Sequence, residues 1–365
     1  MCSLRLVKTL ALALLVLGLP ASTSAAPPNR PALWDLSFSR DSRHLLTCGD
    51  QLRVFDLREP APRTPLKQPW KAFGWSRRAA FSPGDATLLA VARDTGHVTL
   101  LRLGQAEPVL EIPVEEAVRG SACHDVVFSP DGRLLAVAFS KLAEGSFVDG
   151  QLRIHDVETG KLVHSVTREE NKISGVAFSR DGGRLAFCCG PDLEVFDRSP
   201  WEGVGTVKLP TGGFHEDDGA FALSATFLQD ENHLVVGGGI CAGLRNKMGC
   251  NTTGLLWLID FEGQARLDEE PRPNYIRSVD ASPDGQQFVT AYYDQQGTHV
   301  TLSEANGTVR WSTAKARELF GGDPYGLQIS PDGKRVGWCD DDGIHLLDAA
   351  TGEGRETIEV NPPLK

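Results

Sequence analysis

The sequence predicts an all-β fold, a seven-bladed β-propeller of four-stranded antiparallel blades. Three observations indicate it. A short phrase around Ser-Pro-Asp-Gly recurs seven times in 365 residues, its copies start about 43 to 54 residues apart, and most copies precede an alternating run that ends in Asp or Glu. Such a period is typical of repeat folds whose units bury their faces only against one another.

The first phrase joins two apolar runs through a tight turn. Pro presets φ at the second position of a turn, and Gly accepts a positive φ. The runs on either side are therefore predicted to be adjacent antiparallel strands. The copies are "LSFSRDSRHLL" (from Leu36), "AAFSPGDATLLAVA" (Ala79), "VVFSPDGRLLAVA" (Val126), "VAFSRDGGRLAFC" (Val176), "ATFLQDENHLVVG" (Ala225), "VDASPDGQQFVTA" (Val279) and "LQISPDGKRVGWC" (Leu327).

The second phrase predicts a third strand, and the Thr-Gly or Asn-Gly turns that often follow it lead to a fourth. Its acidic end is interpreted as a turn former that accepts hydrogen bonds from nearby backbone N–H groups. Four-stranded sheets cannot bury both faces alone, but seven in a ring can. The phrase ends at Asp56, Asp156, Asp197, Asp260, Glu304 and Asp348.

Together these phrases resemble the repeats of WD-repeat propellers, over residues 32 to 360. The Trp-Asp pair is replaced, for example by Phe55-Asp56 and His155-Asp156, and the Gly-His pair ahead of the first strand is missing. The resemblance implies a degenerate member of that family. Ser-Pro-Asp-Gly turns also occur in lactonase-like, TolB-like and quinoprotein propellers, so the subfamily stays open at this point.

The first 25 residues have the pattern of a secretory signal peptide. Arg5 and Lys8 precede an apolar run from Leu10 to Leu19, and small residues end at Ala25. That run is about ten residues, whereas a membrane-spanning helix needs about twenty. We therefore expect cleavage after Ala25, no membrane insertion afterwards, a propeller over 26–365, and a periplasmic, cell-envelope or extracellular location.

Composition restricts the partner. The formal net charge is −11, and removal of Arg5 and Lys8 would make the chain more acidic. The remaining basic residues are scattered among acidic ones, which disfavours nucleic acid or an anionic membrane. We expect a protein or peptide partner; oligomeric state is left open.

No sequence motif supports a metal, a cofactor or catalysis. The chain has no Cys-x-x-Cys pair, Gly-x-Ser-x-Gly elbow, glycine-rich phosphate loop or His-Glu-x-x-His. We expect neither metal nor cofactor. The acidic segments "HEDDG" (215–219) and "CDDDG" (339–343) could offer oxygens to calcium, but neither has a known calcium-loop spacing. Solvated turns are the simpler interpretation.

The cysteines fall into two groups. Cys48, Cys188 and Cys339 end short apolar runs in three repeats, where cysteine usually acts as a small buried hydrophobe. Cys241 and Cys250 lie in one loop and are the candidate disulfide.

Propeller geometry sorts the connections onto two faces. From channel to rim, the turns between first and second strands and between third and fourth strands lie on one face, here named the turn face. The remaining connections lie on the other, the loop face. The long segments fall on the loop face, which is where we expect binding: "SKLAEGSFVDG" (from Ser140), "TGGFHEDDGAF" (from Thr211), residues 241–250 and "DEEPRPNY" (from Asp268).

Six residues near the loop-face entry of the innermost strands are candidate binding residues. Aromatic and arginine side chains near the middle of a face are typical of interface hot spots. Alternatively, several fill the channel mouth or pack between blades, and His124 alone would more simply be structural. The candidates are Trp34, Trp75, Arg77, His124, Arg277 and Tyr325.

Three functions remain open from sequence. The first is an exported scaffold that binds a protein or peptide through the loop face without catalysis. The second is a lactonase-like or hydrolase-like enzyme or small-molecule binder, with Arg77, His124 and Arg277 at the channel mouth. The third is an accessory module of an envelope complex. Propellers host unrelated functions, so the fold alone does not choose.

Overall fold

A computed structural model describes residues 32–70, 75–93, 97–112, 121–143, 146–169, 171–211, 219–242, 251–261, 264–267, 271–316, 324–340 and 342–360. In these residues 27 strands form seven antiparallel sheets around a central channel, which confirms the predicted seven-bladed propeller. None of the described segments contains a helix long and apolar enough to cross a lipid bilayer.

The strands are numbered in chain order. Blade 1 contains β1 (Leu33–Phe38), β2 (His44–Gly49) and β3 (Arg53–Asp56). Blade 2 contains β4 (Ser76–Phe81), β5 (Leu88–Arg93), β6 (Val98–Arg102) and β7 (Leu110–Ile112). Blade 3 contains β8 (Ser121–Phe128), β9 (Leu134–Ala143), β10 (Ser146–Asp156) and β11 (Leu162–Arg168).

The other four blades follow the same order from channel to rim. Blade 4 contains β12 (Ile173–Phe178), β13 (Arg184–Cys189), β14 (Asp192–Arg198) and β15 (Trp201–Lys208). Blade 5 contains β16 (Gly219–Phe227), β17 (His233–Ala242), β18 (Asn251–Asp260) and β19 (Gln264–Leu267). Blade 6 contains β20 (Ser278–Ala281), β21 (Gln287–Tyr293), β22 (Gly297–Glu304) and β23 (Val309–Ala316). Blade 7 contains β24 (Tyr325–Ile329), β25 (Arg335–Asp340), β26 (Gly343–Asp348) and β27 (Gly354–Ile358).

Blade 1 has three regular strands in its described part, and an irregular segment lies where a fourth would run. That segment contains Pro60, Pro62 and Pro65, which have no backbone N–H to give to a ladder. Leu66 still donates its N–H to the Val54 carbonyl at 2.7 Å. The chain therefore covers the edge of β3 without forming a regular strand.

The Ser-Pro-Asp-Gly phrase recurs because its side chains build the turn. In blade 3, the Ser129 hydroxyl donates to Asp131 at 2.5 Å and accepts the Leu134 N–H at 2.9 Å. Asp131 also accepts the Arg133 N–H at 3.0 Å, and Gly132 has φ of 71°. Equivalent Ser-to-Asp bonds occur at Ser39, Ser179, Ser282 and Ser330. Each turn is therefore a closed local network that satisfies a buried hydroxyl.

The acidic residues that end several third strands also form turns, as predicted. Asp156 accepts the Thr159 N–H at 2.8 Å and its hydroxyl at 2.6 Å. Asp348 accepts the backbone N–H groups of Ala350 and Thr351 at 2.8 and 3.1 Å. These Asp residues act as turn formers.

The hydrophobic core is divided among the gaps between blades. Seven clusters of buried residues occur in the described chain, and each joins two neighbouring blades. The cluster between blades 7 and 1, for example, contains Leu33, Phe55 and Ile344, all fully buried. Cys48, Cys188 and Cys339 are also fully buried in these clusters, which confirms their predicted role as small hydrophobes. Each blade is therefore buried only by its neighbours.

Hydrogen bonds near the channel connect every blade to the next. Four of them use a carboxylate or hydroxyl that accepts a backbone N–H of the following blade. These are Asp35 to Ala79 (3.2 Å), Asp125 to Val176 (2.8 Å), Ser224 to Val279 (3.3 Å) and Asp280 to Ile329 (2.7 Å). The remaining links are Arg78 to the His124 carbonyl (2.7 Å), Ser174 to the Ala222 carbonyl (2.7 Å) and Phe38 N–H to Gln328 (2.7 Å).

The seam between blades 7 and 1 closes the ring. Arg63 Nε contacts both carboxylate oxygens of Glu356 at 2.9 and 3.0 Å near the rim. On the turn face, the Ser42 hydroxyl accepts the Asp332 N–H at 3.0 Å. Every described sheet uses one contiguous stretch of chain, so side chains hold this seam together.

Two blades extend beyond the others on the loop face. The segment from Ser140 was expected to be a long loop, but β9 and β10 pair through most of it as an extended hairpin. Strands β17 and β18 are similarly extended, pairing Ala242 with Asn251. Residues 212–218, 243–250 and 268–270, which belong to the other predicted long connections, lie outside the described residues.

Candidate functional site

The candidate residues enter the channel mouth through bulges in the innermost strands. The ladder between first and second strands shifts register at Trp34 in blade 1, at Arg77 in blade 2 and at His124 in blade 3. A bulge inserts one residue into a strand and changes the direction of its side chain. Three of the six predicted residues are therefore the bulge residues themselves.

Arg78 holds these three bulges together. Its guanidinium donates to the carbonyls of Trp34 (3.0 Å), Arg77 (3.2 Å) and His124 (2.7 Å). Bulged residues drop out of the regular ladder, so their carbonyls need other donors. Arg78 supplies those donors and fixes the local geometry of blades 1 to 3 at the mouth.

In blade 7 the bulge residue of the innermost strand is a glycine. Its register shift lies between Tyr325 and Leu327, which makes Gly326 the bulge residue, with φ of 50°. A Cβ there would lie 2.3 Å from the backbone nitrogen of Leu36 in blade 1. Only glycine lets the two inner strands approach this closely.

Trp34, Trp75 and Arg77 form one side of the mouth. The two indole rings have centroids 5.1 Å apart, and the Arg77 guanidinium lies 5.2 Å from the Trp34 ring. Such a spacing is favourable for a cation and an aromatic face. Trp75 is 50% exposed, an unusual amount for the largest apolar side chain.

Arg277 and Tyr325 form a second group. The Arg277 guanidinium lies 4.6 Å from the Tyr325 ring and 5.9 Å from the Tyr275 ring. Arg277 also donates to the Tyr275 hydroxyl at 3.1 Å. The structure thus brings all six predicted residues to the loop-face mouth, in an aromatic and cationic surface.

Two residues of this surface were missed by the sequence analysis, Lys172 and Tyr275. Both stand six residues before the apolar residue that precedes the turn, the same offset as Trp75. Extending the comparison of repeats by two positions would have found them. We name the eight residues the mouth cluster: Trp34, Trp75, Arg77, His124, Lys172, Tyr275, Arg277 and Tyr325.

Within the cluster, His124 is buried and Lys172 is half-buried. Burial holds the pKa of His124 well below its usual range, and the positive charges of Lys172, Arg78 and Arg77 lower it further. Burial also lowers the pKa of Lys172, to about 8, with added repulsion from Arg277, Arg78 and Arg77. Both effects favour the neutral form of the His124 imidazole in the folded protein.

Below the mouth, the channel forms a cavity of about 440 Å³. Asp35, Arg78 and Asp125 lie side by side in its wall, and burial raises the pKa of both carboxyl groups, that of Asp35 to about 6. Arg78 opposes this rise through its charge. These groups also carry hydrogen bonds between blades, so the channel wall is polar for structural reasons.

The acidic segment at 339–343 lies at the boundary between blades 6 and 7. Asp340 and Asp342 each contact Lys315 Nζ at 3.0 Å, and Asp340 also contacts His345 at 2.9 Å. Asp340 also accepts the backbone N–H of Asp342 at 2.8 Å, so the segment contains a turn as expected. Its two carboxylates are held in an ion-pair network between blades, however, and are not solvated. Among the described residues, no group of three or more His, Cys, Asp or Glu is arranged to hold a metal ion.

Cys241 is disulfide-bonded, while Cys250 lies outside the described residues. The Cys241–Cys250 pairing therefore stays a prediction, as do the roles of residues 215–218.

Comparisons with known proteins agree with the fold. A family profile described as the anaphase-promoting complex subunit 4 WD40 domain matches residues 79–181. Topless-related protein 4 of Arabidopsis thaliana is 24% identical over 307 residues, 75% of this chain and 24% of that protein. Protein TOPLESS of the same plant is 22% identical over 313 residues, 78% of this chain and 25% of that protein. The match therefore spans about a quarter of the length of these plant relatives.

A third relative is bacterial. An uncharacterised WD repeat-containing protein of Synechocystis sp. is 26% identical over 155 residues, 42% of this chain and 38% of that protein. The seven blades, their repeated turns and these matches lead to one assignment. They support a WD-repeat-like β-propeller family for this chain, with degenerate repeats.

Proposed function

We propose that this protein is an exported scaffold that binds a protein or peptide partner at the mouth cluster. The observation that carries the proposal is the convergence of four aromatic and three cationic side chains on one end of the channel. Trp, Tyr and Arg are the residue types that dominate binding energy at protein interfaces. The rest of the loop face would form the rim of the interface.

Two further points support the proposal. WD-repeat propellers generally mediate protein interactions, and the matching family profile describes a domain of a subunit of a protein complex. Part of the mouth cluster is also held in place, because Arg78 fixes the three bulges that present Trp34, Arg77 and His124. A preorganised surface loses little conformational entropy on binding.

The test is affinity capture from envelope and secreted fractions of the source organism, read by mass spectrometry. The mature protein is compared with a Trp34→Ala/Arg77→Ala/Tyr325→Ala variant. A matched control, Arg133→Ala/Lys334→Ala/Gln286→Ala, alters three exposed residues of the turn face. We expect the mouth variant to lose a partner that the control retains. Equal capture by all three proteins, or loss from both variants with folding intact, would contradict the assignment of the face.

Export is tested separately by N-terminal sequencing of the protein from its natural source. Cleavage by signal peptidase predicts a mature chain that begins at Ala26. An intact N-terminus in the cytoplasmic fraction would contradict export and leave the binding proposal standing.

A further inference from the structure

The fourth strands of four blades contain a bulge at the same place, close to the turn that leads into them. The ladder between third and fourth strands shifts register there in blades 3, 4, 6 and 7. The residue left out of the ladder is Val163 in blade 3, Val204 in blade 4, Arg310 in blade 6 and Arg355 in blade 7. These positions are therefore equivalent, although two carry valine and two carry arginine.

In blades 6 and 7 the bulge arginine pairs with the acidic residue that ends the third strand. Arg310 Nη1 lies 3.3 Å from Glu304 Oε1. Arg355 Nε donates to Asp348 Oδ2 at 3.0 Å, and its Nη2 donates to the same oxygen. A guanidinium–carboxylate pair is thus what this hairpin forms when its bulge residue is arginine.

Blade 3 has the carboxylate of this pair without the arginine. Asp156 ends β10 and accepts the N–H and hydroxyl of Thr159 in the turn that follows. Lys161 acts on Asp156 through its charge, but none of the described lysine or arginine side chains forms an ion pair with it. The bulge residue Val163 is 46% exposed, and its neighbour Leu162 is 42% exposed. The hairpin therefore presents a carboxylate beside exposed apolar side chains.

A groove of about 700 Å³ lies between this hairpin and the outer hairpin of blade 4, on the turn face. Asp156 and Val163 line its blade 3 side, and Trp201 lines its blade 4 side. The Trp201 indole stacks on the His164 imidazole across the blade boundary, with ring centroids 5.3 Å apart and planes 8° from parallel. This stacking restrains the orientation of the indole in the groove.

The other charged groups of the groove wall have partners of their own. Asp197 accepts a hydrogen bond from Arg184 Nε at 3.1 Å, and Arg198 Nη1 donates to Asp131 at 3.1 Å. Asp156 is therefore the carboxylate of this wall that has no cationic partner among the described residues. Arginine fits such a site better than lysine, because its planar guanidinium matches a carboxylate and also packs on an aromatic face.

We infer that the groove between the outer hairpins of blades 3 and 4 is a second interaction surface, which takes an arginine-bearing segment of a partner protein. The guanidinium of the partner pairs with Asp156, as Arg310 and Arg355 pair with the carboxylates of their own blades. An apolar side chain next to that arginine packs on Val163 and Trp201. This surface lies at the opposite face from the mouth cluster, so the inference goes beyond the proposed function and does not depend on it.

Peptide selection with groove variants tests the inference. Random dodecapeptides displayed on phage are selected on the mature protein, and the selected peptides are then tested on variants. Asp156→Asn removes the charge but keeps an acceptor for Thr159. Val163→Arg supplies the arginine that blades 6 and 7 already have, so it should occupy Asp156 from within the chain. Val309→Arg is the matched control, because it adds the same side chain at an exposed position of β23.

We expect a class of peptides that carry arginine beside an apolar residue. Their binding should weaken about tenfold or more on Asp156→Asn and on Val163→Arg. Val309→Arg and the triple alanine variant of the mouth cluster should bind them as wild type does. In calorimetry, replacing the peptide's arginine by Gln should weaken binding to the unaltered protein about tenfold and have little further effect on binding to Asp156→Asn.

Three results of this selection would overturn the inference: no peptide that depends on Asp156, dependent peptides without an arginine bias, or equal binding by Val163→Arg and Val309→Arg. A dimer of the protein alone in analytical ultracentrifugation, abolished by Val163→Arg, would also overturn it, since the groove would then belong to a second copy of the chain. The scaffold proposal is judged separately, by partner capture with the mouth variant, so either proposal can fail without the other.

Discussion

Two aspartates in blade 6 show how position decides the behaviour of one residue type. Asp280 lines the channel, where burial raises its pKa to about 7 against the effect of the Ile329 and Ala281 N–H groups that it accepts. Asp284 lies in the exposed turn, where the Ser282 hydroxyl and the Gln286 N–H lower its pKa. The environment of Asp280 therefore favours its neutral acid in the folded state, whereas the environment of Asp284 favours the carboxylate ion.

Replacing Asp280 by Asn should therefore stabilise the protein more at high pH than at low pH. Because the folded-state pKa of Asp280 is raised, its ionisation penalises folding as pH rises from about 4 through about 7. Asn cannot ionise and retains an acceptor for the Ile329 N–H. The melting temperature of the variant minus that of wild type should increase by at least about 2 °C between about pH 5 and about pH 8.5.

Asp284→Asn is the matched control, and it should show no gain on raising pH, because its ion is the stabilised form. If the melting temperature of Asp280→Asn minus that of wild type stays constant or decreases as pH rises, burial does not raise the pKa of the Asp280 carboxyl group.

At the scale of elements, the repeated turn is a unit of structure with its own hydrogen bonds. The buried Ser129 hydroxyl joins Asp131 to the N–H that begins β9. The same Ser-to-Asp bond occurs in four other blades, whose copies of the phrase vary at the second position but retain both Ser and Asp. The copies in blades 2 and 5 differ, with Gly84 in place of the Asp and Leu228 in place of the Ser. These turns are specified by hydrogen bonds between residues that are close in sequence and do not depend on contacts with other blades.

Ser129→Ala should destabilise the protein by about 1 to 3 kcal/mol, because it leaves the Leu134 N–H buried without its hydroxyl acceptor. Chemical denaturation measures the free energy of unfolding. Ser165→Ala, at an exposed position of β11, serves as control and should change it by less than about 0.5 kcal/mol. Equal effects at the two sites would remove the structural role assigned to the turn hydroxyl.

At the scale of the whole molecule, the ring has six junctions crossed by the chain and one seam that is not. Blades 7 and 1 meet through a shared hydrophobic cluster, the Gln328 bond and the Arg63–Glu356 pair. Blades 7 and 1 can separate at this seam and expose one face each, because no connecting segment of chain crosses it. It is therefore the expected starting point for unfolding.

Arg63→Met should lower the melting temperature by roughly 2 to 6 °C, since it breaks a largely buried pair at the seam while keeping the apolar stem. Arg168→Met is the comparison, because Arg168 pairs with Glu194 between blades 3 and 4, which the chain already joins. We expect a smaller decrease there in differential scanning calorimetry. A decrease as large as that of Arg63→Met would argue against a special role for the seam.

The sequence predicted the ring and the turns because each depends on residues close together in the chain. It also placed Trp34, Arg77 and His124 at equivalent positions, since their offset from the turn is constant. It did not predict the bulges or Arg78, whose three carbonyl partners are set by pairing register and by contacts across blades.

The extended hairpin of β9 and β10 was also missed. Its residues were interpreted as a long loop because polar and glycine residues interrupt the alternation, and strand pairing overrode that local signal. Lys172 was missed because a single lysine ahead of a strand has no distinctive pattern. Its lowered pKa depends on burial and on the guanidinium groups that the fold places around it.

Site-specific photocrosslinking tests the binding face most directly. A photoreactive phenylalanine analogue is placed at Trp75 in the mouth cluster or at Lys334 on the turn face, two exposed positions at opposite ends of the channel. Irradiation in envelope and secreted fractions should give a covalent partner adduct from position 75 and none from position 334. An adduct from position 334 alone would place binding on the turn face and contradict the proposed function.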